Sequence, residues 1–237
     1  MLNSVLEKLS KLIFPNRCIV CGNLILNKYF CADCKDLLTP FSVKLCTKCG
    51  QPVKDCSCFA NFFYFDKVTC VFPNDDVIKN CFYRFKFRHN IASAGFFGSE
   101  MARAAEKSFN IKEFDFITYI PMHPLKIIDR GYNQTAVLAK TLKKELHLPL
   151  KRVLYQPKVF NAQHSVSGID ERFLNIKGKY KVRKNADLKG KNILLVDDIM
   201  TTGATLSEVS RLLKLKGAES VACVTALRTI KREEKKG

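Results

Sequence analysis

The sequence predicts an α/β fold built on a mostly parallel sheet, preceded by a small cysteine-rich domain. Residues 193–196 are four consecutive apolar residues and residues 116–120 form a similar run, as expected of strands buried on both faces. Eight of the eleven cysteines lie in close pairs before residue 60. We therefore divide the 237 residues into a first helix (1–14), a cysteine-rich domain (15–60) and an α/β domain (61–237).

The strand at residues 193–196 is followed by polar residues in an informative order. Asp197 and Asp198 come at its carboxyl end, where open α/β sheets bind their ligands. A loop of small and hydroxyl-bearing residues follows: Thr201, Thr202, Gly203, Ala204 and Thr205. Thr205 and Glu208 have the spacing of a capping box and predict that a helix starts there, with Gly217 as its stop.

This order of parts suits a sugar phosphate. Small residues let the backbone close around an anion, and N–H groups at a helix start point at it. Carboxylates accept hydrogen bonds from ribose hydroxyls or from the water ligands of magnesium. The alternative is a strand end with solvated acids followed by an ordinary N-cap. Because strand, acidic pair, small-residue loop and helix start all occur in this order, we consider that alternative the weaker interpretation.

The same segment resembles the phosphoribosyl diphosphate (PRPP) motif of type I phosphoribosyltransferases. This resemblance implies that Asp197 and Asp198 hold the ribose 2′- and 3′-hydroxyls. It also implies that residues 201–205 wrap the 5′-phosphate.

A second loop follows the predicted strand at residues 116–120. It contains Arg130 and Gly131, and apolar residues at helical spacing come next: Val137, Leu138 and Leu142. A diphosphate would lie at this loop, because arginine binds phosphates through forked, charge-assisted hydrogen bonds. An ordinary loop-to-helix junction is the alternative, and the presence of the Asp197 segment favours the functional interpretation.

The paired cysteines predict zinc. The pairs are Cys18 and Cys21, Cys31 and Cys34, Cys46 and Cys49, and Cys56 and Cys58. Without a secretion signal, such pairs indicate metal sites rather than disulfides, because two tight knuckles complete a tetrahedron of thiolates. Sequential pairing gives one site from the first four cysteines and another from the last four, while the sequence leaves a cross-braced pairing open. Four thiolates per ion leave no open position, so we expect one or two structural zinc ions.

The remaining cysteines lie in apolar stretches and are expected in the core: Cys70, Cys81 and Cys223.

The formal net charge of +18 is unevenly distributed, with +3 in residues 1–66 and +15 in the remainder. Such a positive field attracts polyanions and phosphorylated ligands, although a lysine-rich composition that only keeps the surface soluble explains it equally well. Residues 82–89 alternate aromatic rings with positive charges. This pattern suits either single-stranded nucleic acid or a helix that buries its rings, and we favour the helix. The candidate DNA contacts are Arg84, Lys86, Arg88, Arg172, Lys177 and Lys179.

Between residues 156 and 191 the chain turns polar. Residues 161–168, which include His164, lack periodicity and predict a mobile flap, and residues 171–175 predict a short helix. The basic run at residues 177–191 predicts either a solvated hairpin beside the ligand strand or a nucleic acid contact.

The sequence also excludes some functions. No apolar run approaches the ~20 residues of a membrane span and nothing resembles a signal peptide, so we expect a cytoplasmic protein. The first helix is expected to pack on its own domain, with recruitment to the inner face of the membrane or to a partner as the alternative. An ATP-driven helicase would need a Gly-x-x-x-x-Gly-Lys-Ser/Thr loop, which this sequence lacks, so any motor must be a partner protein.

The paired-cysteine ribbon and three motifs, in this order, resemble the ComF (ComFC) family of bacterial late-competence proteins. The motifs are Pro-Met-His-Pro with Arg-Gly-Tyr-Asn-Gln-Thr, Glu-Arg-Phe-Leu-Asn, and Val-Asp-Asp-Ile-Met-Thr-Thr-Gly-Ala-Thr. The resemblance implies a double zinc ribbon joined to a type I phosphoribosyltransferase (Rossmann-like) fold that binds PRPP with magnesium. It also implies a cytoplasmic role in natural transformation, helping single-stranded DNA to enter the cell. Functional weight falls on Arg130, Gly131, Asn133, Gln134, Arg172, Asn175 and residues 197–205.

Two functional hypotheses follow. The first is a PRPP-binding, phosphoribosyltransferase-like protein that acts on or beside single-stranded DNA. If it is an enzyme, it displaces diphosphate at ribose C1, with Asp197, Asp198 and Arg130 as catalytic candidates. The second hypothesis is a non-catalytic DNA-binding adaptor whose nucleotide site is regulatory or vestigial. A competence helicase or another DNA-processing protein is the candidate protein partner.

Overall fold

The computed structural model describes residues 16–26, 29–56, 58, 63–87, 92–157, 176 and 178–230. These residues contain six strands and five α-helices. The strands are β1 (Lys67–Pro73), β2 (Phe116–Tyr119), β3 (Leu154–Tyr155), β4 (Lys181–Val182), β5 (Asn192–Met200) and β6 (Ser220–Arg228). The helices are α1 (Asp76–Phe87), α2 (Ala92–Ser108), α3 (Pro124–Arg130), α4 (Gln134–Leu146) and α5 (Ala204–Leu215). The predicted first helix, residues 1–14, lies outside the described residues.

Four strands form a parallel sheet in the order β1-β6-β5-β2. In its register Tyr119 of β2 pairs with Val196 of β5, and the next residue, Asp197, pairs with Thr225 of β6. The carboxyl ends of β2 and β5 therefore meet at one edge of the sheet, where α/β proteins bind ligands. The predicted mostly parallel α/β fold is confirmed. Strands β3 and β4 form a separate antiparallel pair.

Both faces of the sheet are covered by helices. Alternate residues of β5 point to opposite sides, so that Leu194 and Val196 pack with α1, α2 and α4, while Ile193 and Leu195 pack with α5. All four side chains are fully buried, as predicted for this strand. A central strand of this kind is held by apolar packing on two sides and by hydrogen bonds on the other two.

The cysteine-rich domain lies against the edge strand of the sheet and against the core. Ile19 and Leu38 are buried in the same apolar cluster as α1, α2 and α4. Beside β1, the Phe41 N–H donates to the Val71 carbonyl (2.8 Å) and the Val68 N–H donates to the Thr47 carbonyl (2.7 Å). These contacts cover part of an edge that would otherwise offer unpaired backbone groups.

Several local expectations can be compared with the structure. The helix interpretation of residues 82–89 is confirmed as far as Phe87, because α1 buries Phe82 and Phe85 and exposes Tyr83. Cys70, Cys81 and Cys223 are buried, as predicted. In the run at residues 177–191, β4 forms half of the antiparallel pair. The predicted flap (161–168) and short helix (171–175) lie outside the described residues. Among the described helices, none combines the length and the apolar character that crossing a membrane requires.

Candidate functional site

The cysteine pairs form two separate clusters. One cluster contains Cys18, Cys21, Cys31 and Cys34, and the other contains Cys46, Cys49, Cys56 and Cys58. Within each cluster the four sulfur atoms lie within 4.8 Å of one another, a spacing that suits tetrahedral coordination of one ion. The sequential pairing is therefore the one that the fold adopts, and the cross-braced alternative is wrong.

Each cluster is built on a tight turn that the sequence specifies. Gly22 and Gly50 follow the second cysteine of their knuckles and adopt φ values of 84° and 68°, a left-handed conformation that glycine adopts without strain. Their N–H groups donate to the carbonyls of Cys18 (2.9 Å) and Cys46 (2.8 Å). The turns thereby bring paired sulfurs to one point.

In each cluster the surroundings favour thiolate at one cysteine, Cys18 or Cys46, while burial raises the pKa of Cys34 and Cys49. Burial raises the pKa of the Cys18 thiol, but backbone N–H groups, that of Cys21 foremost, outweigh burial and lower the pKa to about 6. Burial is opposed in the same way at Cys46, where the N–H groups of Lys48 and Cys49 contribute to a pKa of about 7. Thiolates are the form that binds zinc, so the residues fit structural zinc sites with no open coordination position.

A cavity of about 380 Å³ opens at the shared carboxyl edge of β2 and β5. It is lined by carboxylates, cations and neutral polar groups: Asp197, Asp198, Lys126, Arg130, Lys179, His123, Asn133, Gln134, Thr135, Gln156, Tyr180 and Thr205. The volume lies in the range of small-molecule sites. The sequence-predicted Asp197, Asp198, Arg130 and Thr205 thus line one cavity.

The two carboxylates belong to β5, as the sixth and seventh of its nine residues, rather than to the loop after it. Asp197 is 7% exposed, and its Oδ1 accepts the Asp198 N–H at 2.8 Å. Because Asp197 pairs with Thr225 in the sheet, its backbone is fixed by the ladder on that side. The strand therefore presents both carboxylates at a defined position.

The loop between β5 and α5 turns at Gly203. Its φ of 85° is left-handed, and a Cβ there would lie 2.7 Å from Met200 Cε and 2.9 Å from Phe63 Cε1. Glycine is thus required both by the conformation and by the close packing. The Thr202 hydroxyl accepts the Ala204 N–H at 3.3 Å and stabilises the turn. We call residues 201–205 the phosphate loop, after the role that the sequence resemblance implies for them; of the five, Thr205 lines the cavity.

The predicted capping box is wrong. Helix α5 begins at Ala204 with Gly203 as its N-cap, and no side chain caps it. Glu208 instead forms a bidentate ion pair with Arg211 (2.7 and 2.8 Å). The glycine turn starts the helix earlier than Thr205, whose side chain lines the cavity. The predicted stop agrees with the structure, since α5 ends at Leu215 and Gly217 has a φ of 98°.

Two helices bring groups to the cavity from the β2 side. Helix α3, which the sequence did not predict, has His123 as its N-cap and Arg130 as its last residue, and Gly131 ends it with a φ of 77°. Asn133 then caps α4, its Oδ1 accepting the Thr135 N–H at 3.0 Å. The Thr135 hydroxyl donates to the Ile120 carbonyl at 2.6 Å and ties α4 to the end of β2. Arg130 therefore reaches the cavity from a helix end.

Sequence reasoning did not assign His123, Lys126, Gln156 or Tyr180 to a site, although all four line this cavity, and it assigned Lys179 to DNA. Burial, followed by the charge of Lys126, lowers the pKa of the Lys179 amine, so the two amines lie within electrostatic reach of one another. Tyr180 is buried; burial, followed by the nearby Asp197, raises the pKa of its phenol, while the side chains of Gln156 and Thr205 act in the opposite direction. The antiparallel pairing of β3 and β4 brings Gln156, Lys179 and Tyr180 to the cavity, and no local sequence signal indicates that pairing.

The other candidate DNA contacts are distributed differently. The Arg84 guanidinium donates to the Val20 carbonyl and holds α1 against the first cysteine cluster. The side chain of Lys86 lies outside the described part of the chain, as do Arg88, Arg172 and Lys177. A separate groove of about 490 Å³ runs between the cysteine-rich domain and α2, and three of its lining residues are the cations Lys44, Arg103 and Lys107.

Zinc content tests the two-cluster arrangement. The zinc-loaded protein is expected to release two zinc ions per chain when its thiols are blocked, measured with a colorimetric chelator. Cys21→Ser and Cys56→Ser should each release about one, because each variant removes a ligand from a different cluster. Cys81→Ala, at a core cysteine outside both clusters, is the control that keeps two. A single ion in the wild type, lost in both serine variants, would contradict the arrangement.

Comparison with known proteins agrees with this architecture. Residues 9–63 match the family model of the double zinc ribbon domain, and residues 129–237 match that of the phosphoribosyl transferase domain. Competence protein ComFC of Bacillus subtilis (strain 168) is 30% identical over 210 residues, covering 84% of this chain and 84% of that protein. Competence protein F of Haemophilus influenzae is 28% identical over 221 residues, covering 88% and 95%. The DNA utilization protein YhgH of Escherichia coli (strain K12) is 27% identical over 127 residues, covering 53% and 55%. The chain belongs to the ComF (ComFC) family of competence proteins, with a double zinc ribbon followed by a type I phosphoribosyltransferase fold.

Proposed function

We propose that this protein binds PRPP, or a related phosphorylated ribose, at the carboxyl edge of β2 and β5 and acts in the uptake of single-stranded DNA. One observation carries the ligand proposal. A single cavity has two carboxylates on one wall and three cations, Lys126, Arg130 and Lys179, among its other lining residues. Ribose hydroxyls need hydrogen-bond acceptors, and phosphates need cations and N–H donors. The carboxylates of the cavity supply the acceptors, and its lysines and arginine supply the cations.

Each part of the ligand has a matching group. Asp197 and Asp198 would accept hydrogen bonds from the ribose 2′- and 3′-hydroxyls, and the phosphate loop would surround the 5′-phosphate with N–H and hydroxyl donors. The three cations would bind the diphosphate. Magnesium, which favours oxygen ligands, would be held by the diphosphate and by water ligands facing the two carboxylates, and it would neutralise diphosphate charge.

A transferase reaction at this site would break the bond between ribose C1 and the diphosphate oxygen as an acceptor forms a bond to C1. The bonding electrons leave with the diphosphate, so negative charge grows next to Arg130 and the lysines. These residues would act by positioning and by electrostatic stabilisation, which often account for most of the rate enhancement of an enzyme. A protein that binds PRPP without turnover needs the same groups, and this is the regulatory alternative.

The proposed role with DNA is supported by the names of the relatives and by charge. The relatives are described as competence and DNA utilization proteins. Residues 67–237 carry a formal charge of +15. The groove between the zinc ribbon and α2 is lined by Lys44, Arg103 and Lys107, by Glu100, which forms an ion pair with Arg103, and by apolar residues that include Phe41 and Val68. Cations beside apolar and aromatic surface are the chemistry that binds single strands.

Calorimetric titration of PRPP with magnesium tests the ligand. Binding to the zinc-loaded protein is expected to weaken at least tenfold in the Asp197→Asn/Asp198→Asn variant. Each charge-assisted hydrogen bond contributes about 1.5–3 kcal/mol, and about 1.4 kcal/mol is tenfold in affinity. The control variant is Asp187→Asn/Glu219→Gln, which removes two carboxylates away from the cavity. Absence of binding in the wild type, or equal binding in all three proteins, would contradict the proposal.

Salt-dependent binding of single-stranded DNA tests the groove. For Lys44→Glu/Lys107→Glu, the slope of log affinity against log salt is expected to fall in magnitude by about 1.4, since each lost phosphate contact accounts for about 0.7. Fluorescence anisotropy with a labelled oligonucleotide provides the measurement. Lys140→Glu/Lys143→Glu makes the same charge change on the exposed face of α4. Equal slopes for the two variants would show that the groove is not the contact.

A further inference from the structure

Arg228, the last residue of β6, is a buried arginine that neither lines the ligand cavity nor belongs to a cysteine cluster. Only 4% of its surface is exposed. Within the described part of the chain, the hydrogen bonds that its guanidinium donates all go to backbone carbonyls. An arginine held in this way connects stretches of backbone, because its planar fork has donors in several directions.

The carbonyls that Arg228 binds belong to two functional segments. Its Nε donates to the carbonyl of Cys49 in the second zinc cluster at 3.0 Å. Its Nη1 donates to the carbonyl of Met200 at 3.0 Å and to that of Thr201, the first residue of the phosphate loop. A bond to Thr229 (3.0 Å) completes the set. One side chain therefore bridges the zinc cluster and the start of the phosphate loop.

The packing around this bridge is close. A Cβ on Gly50 would lie 3.4 Å from Arg228 Cδ and 2.8 Å from Cys70 Sγ, so the zinc knuckle sits directly on β6. Gln51 of the same knuckle donates to the Thr229 carbonyl at 3.1 Å. On the other side of the loop, the Phe63 ring packs against Gly203, where an added Cβ would lie 2.9 Å from Phe63 Cε1. The Tyr64 N–H donates to the Ser207 hydroxyl at 3.1 Å. The loop is thus contacted by Arg228 on one side and by Phe63, which follows the second cluster in sequence, on the other.

Charge adds a second reason to connect the two segments. A buried guanidinium needs nearby negative charge, and the described ion pairs include none with Arg228. Four thiolates around one zinc ion carry a net charge of −2, and Cys49 belongs to that cluster. The loaded cluster would therefore stabilise the buried cation, and the cation would fix the carbonyls that open the phosphate loop.

We infer that Arg228 is a positioning residue that couples zinc in the second cluster to the phosphate loop, so that loss of this zinc weakens binding of the phosphorylated ligand. The ligand part of this inference rests on the proposed function above. The coupling itself does not, because it concerns the order of the loop in the free protein. Zinc in the first cluster is expected to have a smaller effect, since that cluster packs against α1 instead.

Hydrogen exchange of the ligand-free, zinc-loaded protein tests the coupling. Amides of residues 201–205 should exchange at least about fivefold faster in Arg228→Met and in Cys56→Ser, and less so in Cys21→Ser. Exchange in α4 is the internal reference for global unfolding. Arg228→Lys, which keeps the charge and some donors, should fall between Arg228→Met and the wild type, and it remains available if Arg228→Met does not fold. Arg152→Met removes an exposed arginine and should exchange like the wild type. Unchanged exchange of residues 201–205 in both Arg228 variants would overturn the inference.

PRPP titration of the same variants then tests the consequence for binding. A weakening of at least about fivefold in Arg228→Met and Cys56→Ser is expected, at the low end of coupling between linked sites. Faster exchange together with no PRPP binding by the wild type supports the coupling and rejects PRPP as the ligand. Full PRPP affinity in Cys56→Ser with one zinc ion per chain would overturn the coupling while leaving the ligand site intact.

Discussion

The parallel pairing of β5 with β2 on one side and β6 on the other is the constraint on which the rest of the molecule depends. Residues 193–196 are buried on both faces of β5, and a slip by one residue would move the polar Asn192 or Asp197 into an apolar position, so β5 keeps a single register. That register ends the apolar run at Asp197 and places the acidic pair beside the carboxyl end of β2. The cavity, the phosphate loop and the contacts of Arg228 all follow from where these strands end.

The zinc ribbon is part of this arrangement and not a separate appendage. It contributes Ile19 and Leu38 to the core and covers part of the exposed edge of β1. Structural zinc provides about 10–16 kcal/mol of apparent binding free energy, which becomes folding free energy when the site exists only in the folded chain. Metal binding can therefore organise a segment that buries few apolar side chains among its described residues, Ile19 and Leu38 besides its cysteines. Through Cys49 and Arg228 it also reaches the edge of the sheet that holds the candidate ligand site.

The sequence was informative wherever a function is encoded by neighbouring residues. The acidic pair, the glycine-threonine loop and the cysteine knuckles are local patterns, and the structure assembles each of them close to where the spacing predicts. The capping box failed because Gly203 adopts a left-handed conformation and starts α5 before Thr205, a backbone preference that outweighs the side-chain signal. Of the predicted ligand residues, Asp197, Asp198, Arg130 and Thr205 line the cavity, while Gly131 and residues 201–204 are not among its lining residues.

Long-range contacts were beyond sequence reasoning for a physical reason. Lys179 and Tyr180 reach the cavity because β4 pairs antiparallel with β3, and a two-residue strand carries no recognisable periodicity. Arg228 looks like the end of an apolar strand in sequence, and its role depends on carbonyls of residues 49, 200 and 201. Such contacts are fixed by the topology of the sheet and not by any segment alone.

We propose that the ends of β2 and β5 form one site for a phosphorylated ribose. Hydrogen exchange of the zinc-loaded protein with and without saturating PRPP and magnesium tests this site. Slower exchange is expected in two segments that are distant in sequence, residues 201–205 and residues 130–136. Protection confined to one of these segments, or protection of neither, would contradict a shared site.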